Sequence, residues 1–122
     1  MQLEPLSYDL TVCRIRTAAE ANLSAAFFCL FKTDSELSLV CLTADTPAHT
    51  VKREDGWKAF RVCGAMDFSL VGVLSKLSAV LAEKGISIFA VSSYDTDYIL
   101  VKKDRFRDAL QSLAEAGYTI TE

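Results

Sequence analysis

Apolar residues recur along this chain with two different periods, and the change of period marks the predicted elements. Residues 8–15 (YDLTVCRI) alternate, with Leu10, Val12 and Arg14 opposed to Thr11, Cys13 and Ile15, which predicts a strand. Residues 16–24 are too poor in apolar side chains to cover much core and are expected to form a short helix or a loop. An aromatic-rich run over 26–32 and an apolar run over 36–43 flank Thr33-Asp34-Ser35, which predicts a β-hairpin. Both arms are apolar on both faces, so both are expected to be covered on two sides. Residues 44–56 hold Pro47, Gly56 and a mixed charge run, the composition of a boundary or loose connection.

The second half is more regular. Residues 57–64 alternate as a half-buried strand. Ser69 can then cap a helix in which Leu70, Val73, Leu74, Leu77, Val80 and Leu81 follow i, i+3, i+4, i+7 spacing, and Gly85 stops it. Residues 86–92 and 98–102 predict two strands around a turn at 94–97. Asp104 is expected to cap a second helix with Phe106, Ala109, Leu110 and Leu113 on one face, Gly117 to close it, and 118–120 to add a short strand. The order β-α-β-β-α-β predicts an α+β, ferredoxin-like unit over 57–122, both helices on one face of an antiparallel sheet. The order of elements in 1–56 makes that half an incomplete copy. The best residue-level echo is Ser-Leu-Val at 38–40 and again at 69–71.

Composition narrows the function classes. At 122 residues the chain is one domain or two half-size units that need a shared interface, and 51% hydrophobic residues make it globular. The net charge is −3 and the basic run 102–107 is broken by Asp104 and Phe106, which argues against nucleic acid as a partner. No apolar stretch is long enough to span a membrane, and the first residues lack the pattern of a signal peptide, so a cytoplasmic location is expected. Cys13, Cys29, Cys41 and Cys63 form no CxxC and sit in apolar runs, as buried reduced thiols do; His49 stands in the charged connection and reads as a solvated loop residue.

Candidate chemistry gathers at two polar clusters. At Asp67-Phe68-Ser69 a strand gives way to a helix, whose first N–H groups suit a carboxylate while Asp67 suits an ammonium group; equally, Asp67 and Ser69 could serve only as caps. In the turn Ser93-Tyr94-Asp95-Thr96-Asp97, Asp95 is expected to bond its own backbone, whereas Asp97 enters an apolar strand and needs a partner from the protein or a cationic ligand. Ser38 is the polar exception in its apolar strand, either a tolerated small residue or a ligand contact. GxSxG, HExxH, GxxxxGK and GxGxxG are all absent, so no catalytic residue, metal or cofactor is assigned.

The segment MDFSLVGVLSKLSAVLAEKGISIFAVSSYDTDYILVKKD resembles the ACT-domain superfamily of small regulatory modules. It is more similar still to a bacterial two-ACT subgroup related to the ACT modules of the animal cytosolic arginine sensor. The resemblance covers about 57–117, with ELSLVC at 36–41 resembling the subgroup's first-half hairpin and Trp57 the tryptophan that opens its second half. It implies a non-catalytic protein that binds a free amino acid, with Asp67, Phe68, Ser69, Leu70, Val71 and Gly72 from the loop, Ser93, Tyr94, Thr96 and Asp97 from the turn, and Ser38 opposite. A basic ligand such as arginine or lysine is implied if Asp97 faces its side-chain end. Family members often pair side by side or edge to edge, so a homo-oligomer is expected; the alternative reading is a protein-interaction module that needs no ligand.

Overall fold

The computed structural model describes residues 1–63 and 72–121. Among the described residues eight strands and two α-helices follow in order: β1 (Gln2–Pro5), β2 (Leu10–Arg14), β3 (Phe28–Lys32), β4 (Leu37–Leu42), β5 (Lys52–Cys63), α1 (Val73–Glu83), β6 (Phe89–Ser92), β7 (Asp97–Lys102), α2 (Lys103–Glu115) and β8 (Thr119–Ile120). They form two compact units: a strand unit, Tyr8–Trp57, and a helical unit, Met1–Ser7 with Lys58–Glu122.

In the helical unit the strand order is β6-β7-β5-β1-β8. The succession β5-α1-β6-β7-α2-β8 is the expected ferredoxin-like βαββαβ order. One strand was not foreseen: β1 lies between β5 and β8, antiparallel to the first and parallel to the second. Residues 1–7, which the sequence places with the first half, therefore belong to this unit. Leu3 fixes them there, fully buried among Phe60, Val62, Leu77, Leu81, Ile99, Val101, Ala109 and Leu113. The helices bury the predicted stripes, Leu77 and Leu81 from α1, Ala109 and Leu113 from α2. Each helix closes alike: Ile86 N–H reaches Leu81 C=O at 3.0 Å, and Tyr118 N–H reaches Leu113 C=O at 3.0 Å. Asp104 is not the cap of α2; Lys102 is, and Asp104 stands in the first turn, where its charge favours the helix N-terminus.

The strand unit has the order β3-β4-β2-β5. Where the helical unit has α1 and α2, it has only the 3-10 turns Ala18–Glu20 and Thr43–Asp45. On β4, Leu39, Val40 and Cys41 are all buried, so the strand is covered on both faces as expected. On β3 the expectation fails: no residue of the strand is fully buried, and Phe31 is 61% exposed.

The expected loose connection 44–56 is half strand, since β5 begins at Lys52. Its start carries charge rather than alternating apolar residues, and hydrogen bonds to β2 hold it. Between Leu10↔Trp57 and Val12↔Glu54 the register shifts by one residue, a β-bulge at which Gly56 takes φ +84°. Asp55 secures the bulge: Thr11, fully buried, donates its hydroxyl to Asp55 Oδ1 at 2.7 Å, and Arg53 donates to both carboxylate oxygens at 3.0 and 3.1 Å. The fixed charge gives a buried hydroxyl the acceptor it needs.

All four cysteines are free; Cys13 and Cys41 are buried, Cys29 and Cys63 half-buried. Burial, then the neighbouring Cys41, pushes the Cys13 thiol up to about 11; burial also raises Cys29 and Cys41. A thiol whose folded value lies above its ordinary 9 stabilises the fold while it is protonated. Stability from Cys13 is thus intact below about pH 9 and lost as pH rises toward 11. Urea unfolding across pH 8–11 with alkylation mapped by mass spectrometry checks this: at pH 8 Cys13 and Cys41 stay unmodified in the folded protein, and the midpoint falls above pH 9.

Candidate functional site

The β6–β7 hairpin brings four of the expected site residues together, and its hydroxyls explain its shape. Ser93 N–H donates to Thr96 C=O at 2.8 Å. The Ser93 hydroxyl donates to the same carbonyl at 3.1 Å and accepts Thr96 N–H at 3.3 Å. This closes the turn around Tyr94 and Asp95, leaving Tyr94 81% exposed at the tip. Thr96 Oγ1 donates to the carbonyl of Val62, near the end of β5, and so ties the turn to that strand.

Asp97 has a protein partner. It opposes Ser92 across the hairpin, and the Ser92 hydroxyl donates to Asp97 Oδ1 at 2.5 Å. The second carboxylate oxygen has no hydrogen bond among the described residues and stays able to take a donor. Close by on the sheet, Arg61 is held firmly charged, first by its bond to Glu4 and then by Tyr98.

Gly72 is the N-cap of α1, in the left-handed region at φ +82°, and its carbonyl accepts Lys76 N–H at 2.9 Å. A side chain here would meet no atom within 4 Å, so backbone conformation alone favours glycine. Residues Asp67, Phe68, Ser69, Leu70 and Val71 lie outside the described residues, as does the expected Ser69 cap. The first turn of α1 also lines a cavity of about 320 Å³ with Val73 and Lys76 beside Met1, Gly117 and Tyr118, none of them a site residue expected from the sequence.

Ser38 belongs to the strand unit, on β4, where its hydroxyl donates to Glu36 Oε1 at 2.6 Å. Its equivalent is not Ser69. The β3–β4 hairpin repeats the β6–β7 hairpin residue for residue, each pair differing by 60 in number, as Thr33 and Ser93 do. Thr33 N–H donates to Glu36 C=O at 2.9 Å, and Thr33 Oγ1 accepts Glu36 N–H at 3.0 Å, the same bonds that Ser93 makes with Thr96. Ser38 thereby corresponds to Tyr98, and the Ser-Leu-Val echo is a coincidence of letters.

The sequence model of the ACT domain matches residues 52–115, more than half of the chain, and the chain belongs to the ACT-domain family of regulatory, typically amino-acid-binding modules. Atu0741 of Agrobacterium tumefaciens is similar in structure over 98% of this chain and 91% of its own, at 29% identity and a TM-score of 0.87. VC0802 of Vibrio cholerae, described as a possible transport protein of unknown function, is similar over 93% of this chain and 88% of its own, at 24% identity and a TM-score of 0.74. The ligand-free regulatory subunit of aspartate kinase from Thermus thermophilus is similar over 94% and 96%, at 10% identity and a TM-score of 0.62, a likeness of fold. No protein of curated function matches the sequence.

The Thr96 tether yields a test. Thr96→Val removes the hydroxyl and leaves the Val62 carbonyl short of a donor, which costs about 1–2 kcal/mol. Urea unfolding measures that loss, and hydrogen exchange at the Ser93 and Thr96 amides should quicken. Thr96→Ser, which keeps a hydroxyl, should hold near wild type in both.

Proposed function

We propose that the protein is a non-catalytic cytoplasmic sensor of a free amino acid, built from two ACT-like halves in the manner of the bacterial subgroup related to the animal arginine sensor. The observation that carries this reading is the turn at Ser93–Asp97, tied by Thr96 to β5 and presenting one oxygen of Asp97 that has no donor among the described residues. The first N–H groups of α1, beyond Gly72, have no acceptor within the helix and suit the ligand's carboxylate. Asp67 takes its ammonium group, and Asp97 favours a basic side chain. Phe68, Ser69, Leu70 and Val71 complete one side of the site, with Ser93, Tyr94 and Thr96 on the other.

Thermal-shift measurement against the amino acids tests it. A ligand at one hundred times its Kd adds about 2.7 kcal/mol, a Tm rise on the order of 10 °C for a chain of this size. Arginine or lysine should give that rise, and Asp97→Asn should remove it while the unliganded Tm stays within a few degrees. A flat response to every amino acid at millimolar concentration defeats the reading.

One observation favours self-association as well. Strand β3 has an open edge, and exposed Phe31 stands on it. Light scattering on the eluting protein should give a dimer that Phe31→Lys converts to monomer; a monomeric wild type at high micromolar concentration removes this second reading.

A further inference from the structure

We propose that the strand unit holds a second ligand site, of opposite charge, that takes an acidic amino acid. At one end of its sheet a cavity of about 570 Å³ opens between the end of β2, the β3–β4 hairpin and Val51. That volume lies within the usual range for small-molecule sites. Three cations line it, Arg14, Arg16 and Lys32, against one carboxylate, Glu36. In a chain of net charge −3 a local excess of positive charge runs against the average and calls for an anionic occupant.

The frame is fixed by backbone. Ile15 N–H donates to Leu37 C=O at 2.9 Å and Val51 N–H donates to Arg14 C=O at 2.8 Å, so the residues around Arg14 are pinned from both neighbours. The Arg14 guanidinium donates from Nη2 to Ser35 C=O at 3.0 Å, which holds it against the hairpin with donors to spare. The side chains of Arg16 and Lys32 have neither an ion pair nor a hydrogen bond among the described residues, so their charges remain for a ligand.

The balance of charges selects the class. Two guanidinium groups and an ammonium suit two carboxylates, and a guanidinium binds a carboxylate through paired N–H groups. Glu36 disfavours a purely anionic guest and suits an ammonium group, while Ile15, Leu37 and Val51 supply an apolar wall for a short aliphatic chain. An α-amino dicarboxylate, aspartate or glutamate, matches all of these. This site lies wholly within Tyr8–Trp57 and uses no residue of the Ser93–Asp97 turn, so it stands or falls apart from the function proposed above.

Calorimetric titration of the whole chain with L-glutamate, L-aspartate, succinate, inorganic phosphate and L-arginine tests the assignment. One of the two acidic amino acids should bind with submillimolar Kd. Arg16→Ala and Lys32→Ala, both changes at exposed residues, should each weaken it about tenfold, the loss of one charge-assisted contact. Asp97→Asn should leave this binding unchanged, and Glu36→Gln should narrow the preference for the amino acid over succinate. The proposal is overturned if neither acidic amino acid binds at roughly 10 mM, a concentration at which any weaker site has no Kd in the useful range. It is equally overturned if succinate or phosphate binds as tightly as they do, or if the Arg16→Ala, Lys32→Ala double variant, shown folded by circular dichroism, binds as wild type does.

Discussion

The hydrogen-bond ladder of β5 is the constraint on which both units depend. The strand is 12 residues long, and it divides its pairing: residues 52–57 pair with β2, residues 60–63 with β1. Each unit thus closes its sheet on a segment of the same strand. The bulge at Asp55–Gly56 falls just before that change of partner. Its geometry requires a residue at φ +84°, which glycine adopts without the penalty that a Cβ brings. At the bulge the Asp55 carboxylate accepts from the Thr11 hydroxyl and from the Arg53 guanidinium, so both side chains are paired across it.

Helices and hairpins were legible in the sequence because their signals are local. The 3.6 period of Leu77 and Leu81, or of Ala109 and Leu113, survives in any tertiary setting that buries one face. The two elements that escaped notice are set by distant partners. Strand β1 is four residues with Pro5 at its end, too short to alternate, and its place follows from Leu3 reaching a core made almost entirely by residues 60 onward. The start of β5 is charged, so periodicity gives it nothing; cross-strand bonds to a chain segment some forty positions earlier make it a strand. Within the candidate site, the turn was legible from its Ser, Asp and Thr content. The acceptor of Thr96, a carbonyl on β5, carries no side-chain signature at all. Residues 67–71 lie outside the described residues, and their part in the site rests on the chemistry of Asp67 and Ser69 and on family resemblance.

The likeness of the two hairpins was half visible for a similar reason. Matching letters drew attention to Ser-Leu-Val, while the true equivalence preserves backbone bonds and burial. Leu39, Val40 and Cys41 are buried as Ile99, Leu100 and Val101 are, and the turns share a hydroxyl residue at their first position. No residue of the two triplets is identical. Packing constrains size and hydrophobicity at such positions and leaves identity free.

The same equivalence gives the two hairpins contrasting chemistry on one scaffold. Lys32 stands where the helical unit has Ser92, and Leu37 where it has Asp97. Both pairs close their hairpins at the same register, so neither exchange disturbs the backbone bonds that define the turn. One hairpin therefore places a cation at the end of its sheet and the other a carboxylate. Since the turn's own hydroxyl and backbone groups set its geometry, charge at the flanking positions is free to vary. A fold that separates the groups shaping a turn from the groups charging it can keep its architecture while the charge at the end of its sheet changes sign.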